Sequence, residues 1–360
     1  MKLIAYHLPQ FHQIQENDIW WGEGFTEWDN VKQALPLFKG HNQPRVPLDS
    51  FYYDLSTKEA IAWQFSLAKK YGIYGFCFYH YWFEGKKVLE KPSEIIISDD
   101  SIDGNFCFCW ANHSWRRTWN KTNELLIEQS YGGKSEWDAH LEYLVPFFSD
   151  RRYIKHEGKP VFVIYDISHV SDFEARFDYY DKWLKDKGFN GLYLIQSVND
   201  RAQTLYQCSD SYVLREPAIT HVSNSSIFKK IERKIKRNKK NNFFKNPLHY
   251  KFNDISKKSL DYAEKSLQEG RNISLGLFRE WDSTPRHGKH GYIISRAEDL
   301  EFSAYVKSVG NLLNRYPNAS EYVFYNAWNE WGEGCYLEPD SKSGYSSLTI
   351  LRETASGNIS

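Results

Sequence analysis

Two glutamates three positions apart, Glu330 and Glu333, stand in the stretch NAWNEWGEG at 326–334. A second stretch, WWGEGFTEW at 20–28, carries Glu23 and Glu27 among Trp20, Trp21 and Trp28. Two carboxylates in one pocket repel each other in a low dielectric, which splits their pKa values and leaves one as an acid and the other as a base. That is the equipment for cleaving a glycosidic bond. On an unbroken strand the side chains at 330 and 333 would point to opposite faces. Gly332 and Gly334 let the chain leave the strand at about Asn329 and curl, so that both carboxylates can face one way. Spacing alone leaves a structural alternative open, in which Glu333 caps the following segment and Glu330 pairs with an arginine.

Eight apolar runs of strand length could position such a pair: 2–9, 72–82, 106–115, 159–166, 191–199, 210–218, 271–281 and 321–330. Amphipathic stretches such as STKEAIAWQFSLAKKYG and SRAEDLEFSAYVKSVGNLLNRY separate them. Thr57 or Ser56, and Ser295, sit where helix N-caps belong. Continuous apolar strands alternating with helices imply a parallel sheet buried on both faces. Eight such units predict a single (β/α)8 TIM-type barrel over 1–360, with a long first βα loop (10–55) and a basic insertion (219–256) after strand 6. An open nucleotide-binding sheet would carry G-x-G-x-x-G after its first strand, and none is present.

The strands share a polarity, starting apolar and ending in polar or aromatic groups. The early ends offer His7, then Tyr79, His80 and Tyr81, then Trp110, Asn112, His113 and Trp115. The later ones offer Asp166, Arg215 with Glu216, Arg279 with Trp281 and Asp282, and finally Asn329, Glu330 and Trp331. In this barrel class the C-terminal strand ends line the active site, so these are candidate substrate-binding residues. Closure pairs strand one with strand eight and brings Trp20, Trp21, Glu23, Glu27 and Trp28 beside Glu330, Glu333 and Glu338.

Charges balance at 46 basic and 46 acidic residues, which argues against a general nucleic-acid binder. Aromatic residues are 17% of the chain; Trp and Tyr suit a wall that is apolar and also hydrogen-bonds, as a sugar requires. No apolar stretch is long enough to span a bilayer, and MKLIAYHLPQF reads as a first strand with no secretion signal. The five cysteines fit reduced, buried thiols, and the expected location is cytoplasmic. No cofactor or metal is expected, since H-E-x-x-H is absent and His7 with His12 lacks a third ligand. Within the insertion, KKIERKIKRNKK (229–240) has eight basic residues against one acid, and Ile227, Phe228, Ile231 and Ile235 form one helical stripe. It is either a solvated excursion or a surface helix touching anionic lipid at the inner membrane. The oligomeric state is not legible.

The string NEWGEGCYLEP (329–339) resembles the N-E-W-x-E-G-x-x-x-E-P signature of the endo-α-mannosidase and endo-α-mannanase family of glycoside hydrolases. The whole chain is more similar to the WbsX-type family of bacterial O-antigen and capsule loci, usually labelled glycosyltransferase. YHLPQFH (6–12), PLFKGHNQPR (36–45), YGIYGFCFYHYWF (71–83) and WDSTPR (281–286) support the likeness. It implies that Glu330 is a base removing the proton of the substrate's 2-hydroxyl, giving a 1,2-anhydro sugar, and that Glu333 protonates the leaving oxygen. Related chains commonly read W-A-N-E-N-W where this one reads WANHSW, placing His113 at an acidic position. A retaining endo-acting hydrolase of oligo- or polysaccharide is the expected function. A glycosyltransferase or transglycosylase is the first alternative, although no D-x-D occurs. An inactive glycan-binding barrel is the second.

Overall fold

The computed structural model describes residues 1–117, 124–223 and 247–355. Its centre is a closed, all-parallel barrel of eight strands: β1 (Lys2–His7), β2 (Gly75–Phe83), β3 (Asn105–Trp110), β4 (Lys159–Ile164), β5 (Tyr193–Val198), β6 (Ser211–Leu214), β7 (Ile273–Leu277) and β8 (Ala319–Tyr325). Closure is made by β1, which pairs with β2 (Ile4 opposite Gly75) and with β8 (Ala5 opposite Tyr325). The strands are buried almost throughout, as their continuous apolar runs require.

Helices cover the barrel at Lys58–Lys70, Lys91–Ser98, Lys134–Ser149, Phe173–Asp186, Phe252–Gln268, Asp299–Arg315 and Ser346–Ala355. Between β5 and β6 the chain makes turns and no helix. Thr57 caps Lys58–Lys70 by accepting from the Ala60 amide at 3.4 Å. Ser295 does not cap the next-to-last helix: Glu298 does, in a reciprocal pairing with Glu301, while the Ser295 hydroxyl accepts from the Phe252 amide.

The long loop after β1 is more structured than its composition suggests. It folds into short helices at Gln15–Trp21 and Glu27–Gln33, the second anchored by Asp29 accepting from the Thr26 amide at 2.8 Å. The helix Ala218–Ser223 and the strand Leu248–Tyr250 flank the region after β6, and the barrel helix already begins at Phe252, inside the expected insertion. The basic stripe at 227–240 lies outside the described residues. Among the described residues, no helix is long and apolar enough to cross a membrane.

Strand eight ends sooner than its apolar run implies. β8 stops at Tyr325, and the glutamates belong to a separate hairpin in which Asn329–Glu330 pairs antiparallel with Cys335–Tyr336. The tight turn Trp331–Glu333 joins the two arms.

Candidate active site

The Asn329 side-chain amide fastens the hairpin to the exit of β1. Asn329 Oδ1 accepts from the Leu8 amide at 2.8 Å, and its Nδ2 donates to the Leu8 carbonyl at 3.0 Å. Asn329 therefore acts as a strut at the exit of β1, which fixes the height of Glu330. The two glycines have different duties. Gly334 closes the turn at φ +59°, a left-handed conformation. Gly332 is required by proximity, because a Cβ there would collide with Glu27 Oε1 and meet Arg286 Nε.

Arg286 ties the acids together. Its Nη2 lies 2.7 Å from Glu330 Oε1 and 2.7 Å from Glu27 Oε1, and its Nη1 lies 3.0 Å from Glu333 Oε1. Nε adds a second bond to Glu27 at 2.8 Å. Glu330 thus does pair with an arginine, as the structural alternative required, but Glu333 shares the same guanidinium. Burial, above all, pushes the Glu330 carboxyl up to about 7; the charges of Glu333 and Glu27 add to this, and Arg286 opposes it. Burial also raises Glu27 against the pull of Arg286. A carboxyl titrating near neutrality can give or take a proton at neutral pH, so it can serve as either a general acid or a general base.

Glu330 and Glu333 open onto a cavity of about 380 Å³ at the C-terminal ends of the strands. Of the residues expected at the mouth, Trp21, Tyr79, Tyr81, His113, Trp115 and Arg215 line it. Trp20 stands behind, edge-on to Trp115 at 5.8 Å. Burial, with the nearby Arg215 charge second, pulls His113 down to about 4, so its ring is neutral at pH 7. Tyr165, Phe25 and Arg286 are lining residues that sequence reasoning passed over. The stretch WDSTPR contained Arg286, but nothing local marked an arginine beyond β7 as the partner of acids from both ends of the chain.

Several expected wall residues are elsewhere. Side chains alternate along a strand, so the neighbours of inward residues point to the helices. His7 faces Gln64 at 2.9 Å, and burial lowers it to about 3. His80 meets His140 at 2.9 Å, and Trp110 packs under Arg176. Glu23 is exposed. Trp28 is core, donating to the Tyr53 carbonyl at 2.8 Å. Asn112 clamps the backbone of Asp166, bonding its amide at 2.9 Å and its carbonyl at 2.6 Å, while the Asp166 carboxylate turns to Ser168.

Glu216 is buried beside Thr220, and burial pushes it up to about 7. Arg279 pairs with Asp299 and holds Ser347, so it braces helices. Trp281 stacks parallel to Tyr292 at 6.0 Å. Asp282 accepts from His41, Gln43 and Thr284; these bonds and Arg45 outweigh burial and bring it to about 2. It fastens the first loop to the loop bearing Arg286. Trp331 stacks on Tyr336 at 3.7 Å and donates to Glu338, which also receives Tyr53 and Gln64 and lies beneath the hairpin, away from the cavity. Cys335 is buried, its thiol pushed well up by that burial. Among the described residues, no group of three or more His, Cys, Asp or Glu is placed to hold a metal ion.

The sequence profile of a family described as Glycosyltransferase WbsX matches residues 3–351. Two proteins from Xanthomonas campestris pv. campestris, each described as "Uncharacterized protein WxcX", are 33% and 32% identical over 359 and 356 residues. Each match covers 98% of this chain and 49% of the relative, so the chain spans about half their length. Among solved structures, the GH99 endo-alpha-mannosidase from Bacteroides thetaiotaomicron in complex with BIS-TRIS-Propane superposes with a TM-score of 0.62 at 12% identity, over 99% of this chain and 97% of that one. A glycoside hydrolase-like protein superposes with a TM-score of 0.61 at 15% identity, over 98% and 93%. At such identities the likeness establishes a shared fold.

Proposed function

The chain belongs to the family described as Glycosyltransferase WbsX, and from that premise we propose that it is a glycan-active enzyme, a retaining endo-type glycoside hydrolase of bacterial surface polysaccharide (O-antigen or capsule) metabolism. One observation carries the reading. Two carboxylates, Glu330 and Glu333, are held by a single guanidinium at the edge of an aromatic cavity.

In the first step ionised Glu330 takes the proton of the substrate's 2-hydroxyl. Its oxygen attacks C1, and the bond from C1 to the glycosidic oxygen breaks as that oxygen takes a proton from Glu333. The product is a 1,2-anhydro sugar. In the second step Glu333, now ionised, takes a proton from water, whose oxygen attacks C1. The C1–O2 bond breaks, and O2 recovers its proton from Glu330. Two inversions give net retention without a covalent enzyme intermediate, an exception to the usual nucleophile scheme. The route needs a 2-hydroxyl trans to the leaving group, as in an α-mannoside. Arg286 keeps Glu330 ionised more readily than burial alone would allow and fixes both carboxylates in one place.

The family's description favours a second reading, in which a sugar acceptor replaces water and the enzyme transfers a glycan. The test uses wild type, Glu330→Gln and Glu333→Gln on a panel of surface polysaccharides and α-mannosides, with and without acceptor sugars. Cleavage by wild type, reduced about 10²–10⁴-fold in either variant, is expected. Elongated acceptors in place of free reducing ends would select transfer. Binding of glycan by all three proteins with no bond made or broken would leave a lectin-like barrel, and nucleotide-sugar turnover would overturn the hydrolase.

A further inference from the structure

The cavity contains a second cation with a different setting. Arg215, just beyond β6, lines it and is only partly exposed. Its Nη1 donates to the Tyr165 hydroxyl at 3.0 Å and its Nη2 to the Tyr79 hydroxyl at 3.2 Å, and the guanidinium lies 4.7 Å from the centre of the Tyr165 ring. Nε has no partner. Among the described residues, no carboxylate oxygen comes within 4.0 Å of it.

Other buried arginines of this protein contrast with it. Arg45 pairs with Glu280, Arg152 with Asp150, Arg176 with Glu136, Arg279 with Asp299, and Arg286 with three glutamates. Phenol hydroxyls orient a guanidinium but do not cancel its charge, and a desolvated charge without a counter-ion is costly. Arg286 already occupies the glutamates across the site, so they are not available as close partners for Arg215. His113, 5.3 Å from the Tyr165 ring and with an unpartnered Nδ1, adds a polar atom but no negative charge. Glutamates fixed on Arg286 and an arginine lacking its anion make the cavity dipolar.

Resting on the glycan reading above, we propose that the sugar bound in this cavity carries an anionic substituent, a carboxylate or a phosphate ester, that pairs with Arg215 while the glycosidic bond lies at Glu330 and Glu333. A planar guanidinium suits either oxyanion. The anion would set which ring enters the cavity and in what orientation.

The experiment compares matched ligands by calorimetry: methyl α-mannoside, mannuronate and mannose 6-phosphate, with acetate and inorganic phosphate as anion controls. Wild type is expected to favour at least one charged sugar over the neutral parent by roughly tenfold or more, the usual worth of a charge-assisted hydrogen bond. The mannuronate and mannose 6-phosphate arms distinguish carboxylate from phosphate. In Arg215→Gln that ratio should fall to about one. Because this variant removes a partly buried residue, His113→Glu provides a second arm, supplying Arg215 with an internal carboxylate and cancelling the same preference. Equal binding of neutral and charged sugars by wild type, or a preference that survives both variants, overturns the inference and leaves the glycan reading standing. Phosphate or acetate binding as tightly as the charged sugars also overturns it. Failure of every sugar and every candidate glycan to bind would bring down the glycan reading itself, and this inference with it.

Discussion

Arg286→Met is the most informative perturbation, because it removes one charge and leaves three carboxylates around the space. Charge centres about 4 Å apart interact by about 4 kcal/mol at an effective dielectric of 20, equivalent to about 3 pKa units. Breaking a buried pair from one side costs about 3–5 kcal/mol. Glu27 and Glu330 are nearly inaccessible, so they will respond by keeping protons to higher pH. Arg286 now restrains Glu330 at about 7. Without it that value should rise by about 2–3 units.

The sign follows from linkage. A carboxyl whose folded pKa lies above its unfolded value contributes stability that is fully present below the unfolded value, near 4.3, and is lost as pH rises through the folded one. The variant should therefore nearly match wild type at pH 5 and fall increasingly below it towards pH 9. At about 2 °C per kcal/mol for a chain of this size, the deficit in Tm at pH 9 should reach about 6–10 °C. Thermal unfolding from pH 5 to 9 measures this without any substrate. In turnover assays the acid limb of the rate profile, near 7 in wild type, should move upward in the variant. A Tm deficit that is constant across this pH range would refute the coupling of Arg286 to the carboxylates.

Gly332→Ala puts a methyl against Glu27 and Arg286, so it should cost about 1–3 kcal/mol in urea unfolding and lower turnover with it; wild-type behaviour in both would show that the contact is slack. Glu338→Gln tests the carboxyl beneath the hairpin, which burial pushes from 4.5 up to about 7. Wild type should lose up to about 3 kcal/mol relative to this variant as pH rises from 4.5 through 7, and a pH-independent difference between their urea midpoints would reject the shift.

The sequence alone determined the barrel, its eight strands, the direction in which they run and the meeting of the 20–28 and 329–338 segments. These follow from hydrophobic runs, alternation with helices and the pairing of first and last strands that closure forces. It also singled out Glu330 and Glu333. Tertiary structure alone decided which strand-end residues enter the cavity. Tyr79 and Tyr81 point in and His80 between them points out to His140, because a strand fixes only that neighbours alternate, and the geometry of the closed barrel decides which set is inside. The same holds for polar groups that looked like sugar ligands: Asn112, Asp282 and Glu338 spend their hydrogen bonds on backbone and loops, since buried polar atoms must be satisfied wherever the fold leaves them. Arg286 was beyond sequence reasoning for a related reason. Its partners Glu27, Glu330 and Glu333 come from opposite ends of the chain, and a charge cluster of that kind exists only once the loops of the first, seventh and eighth strands are stacked at one mouth.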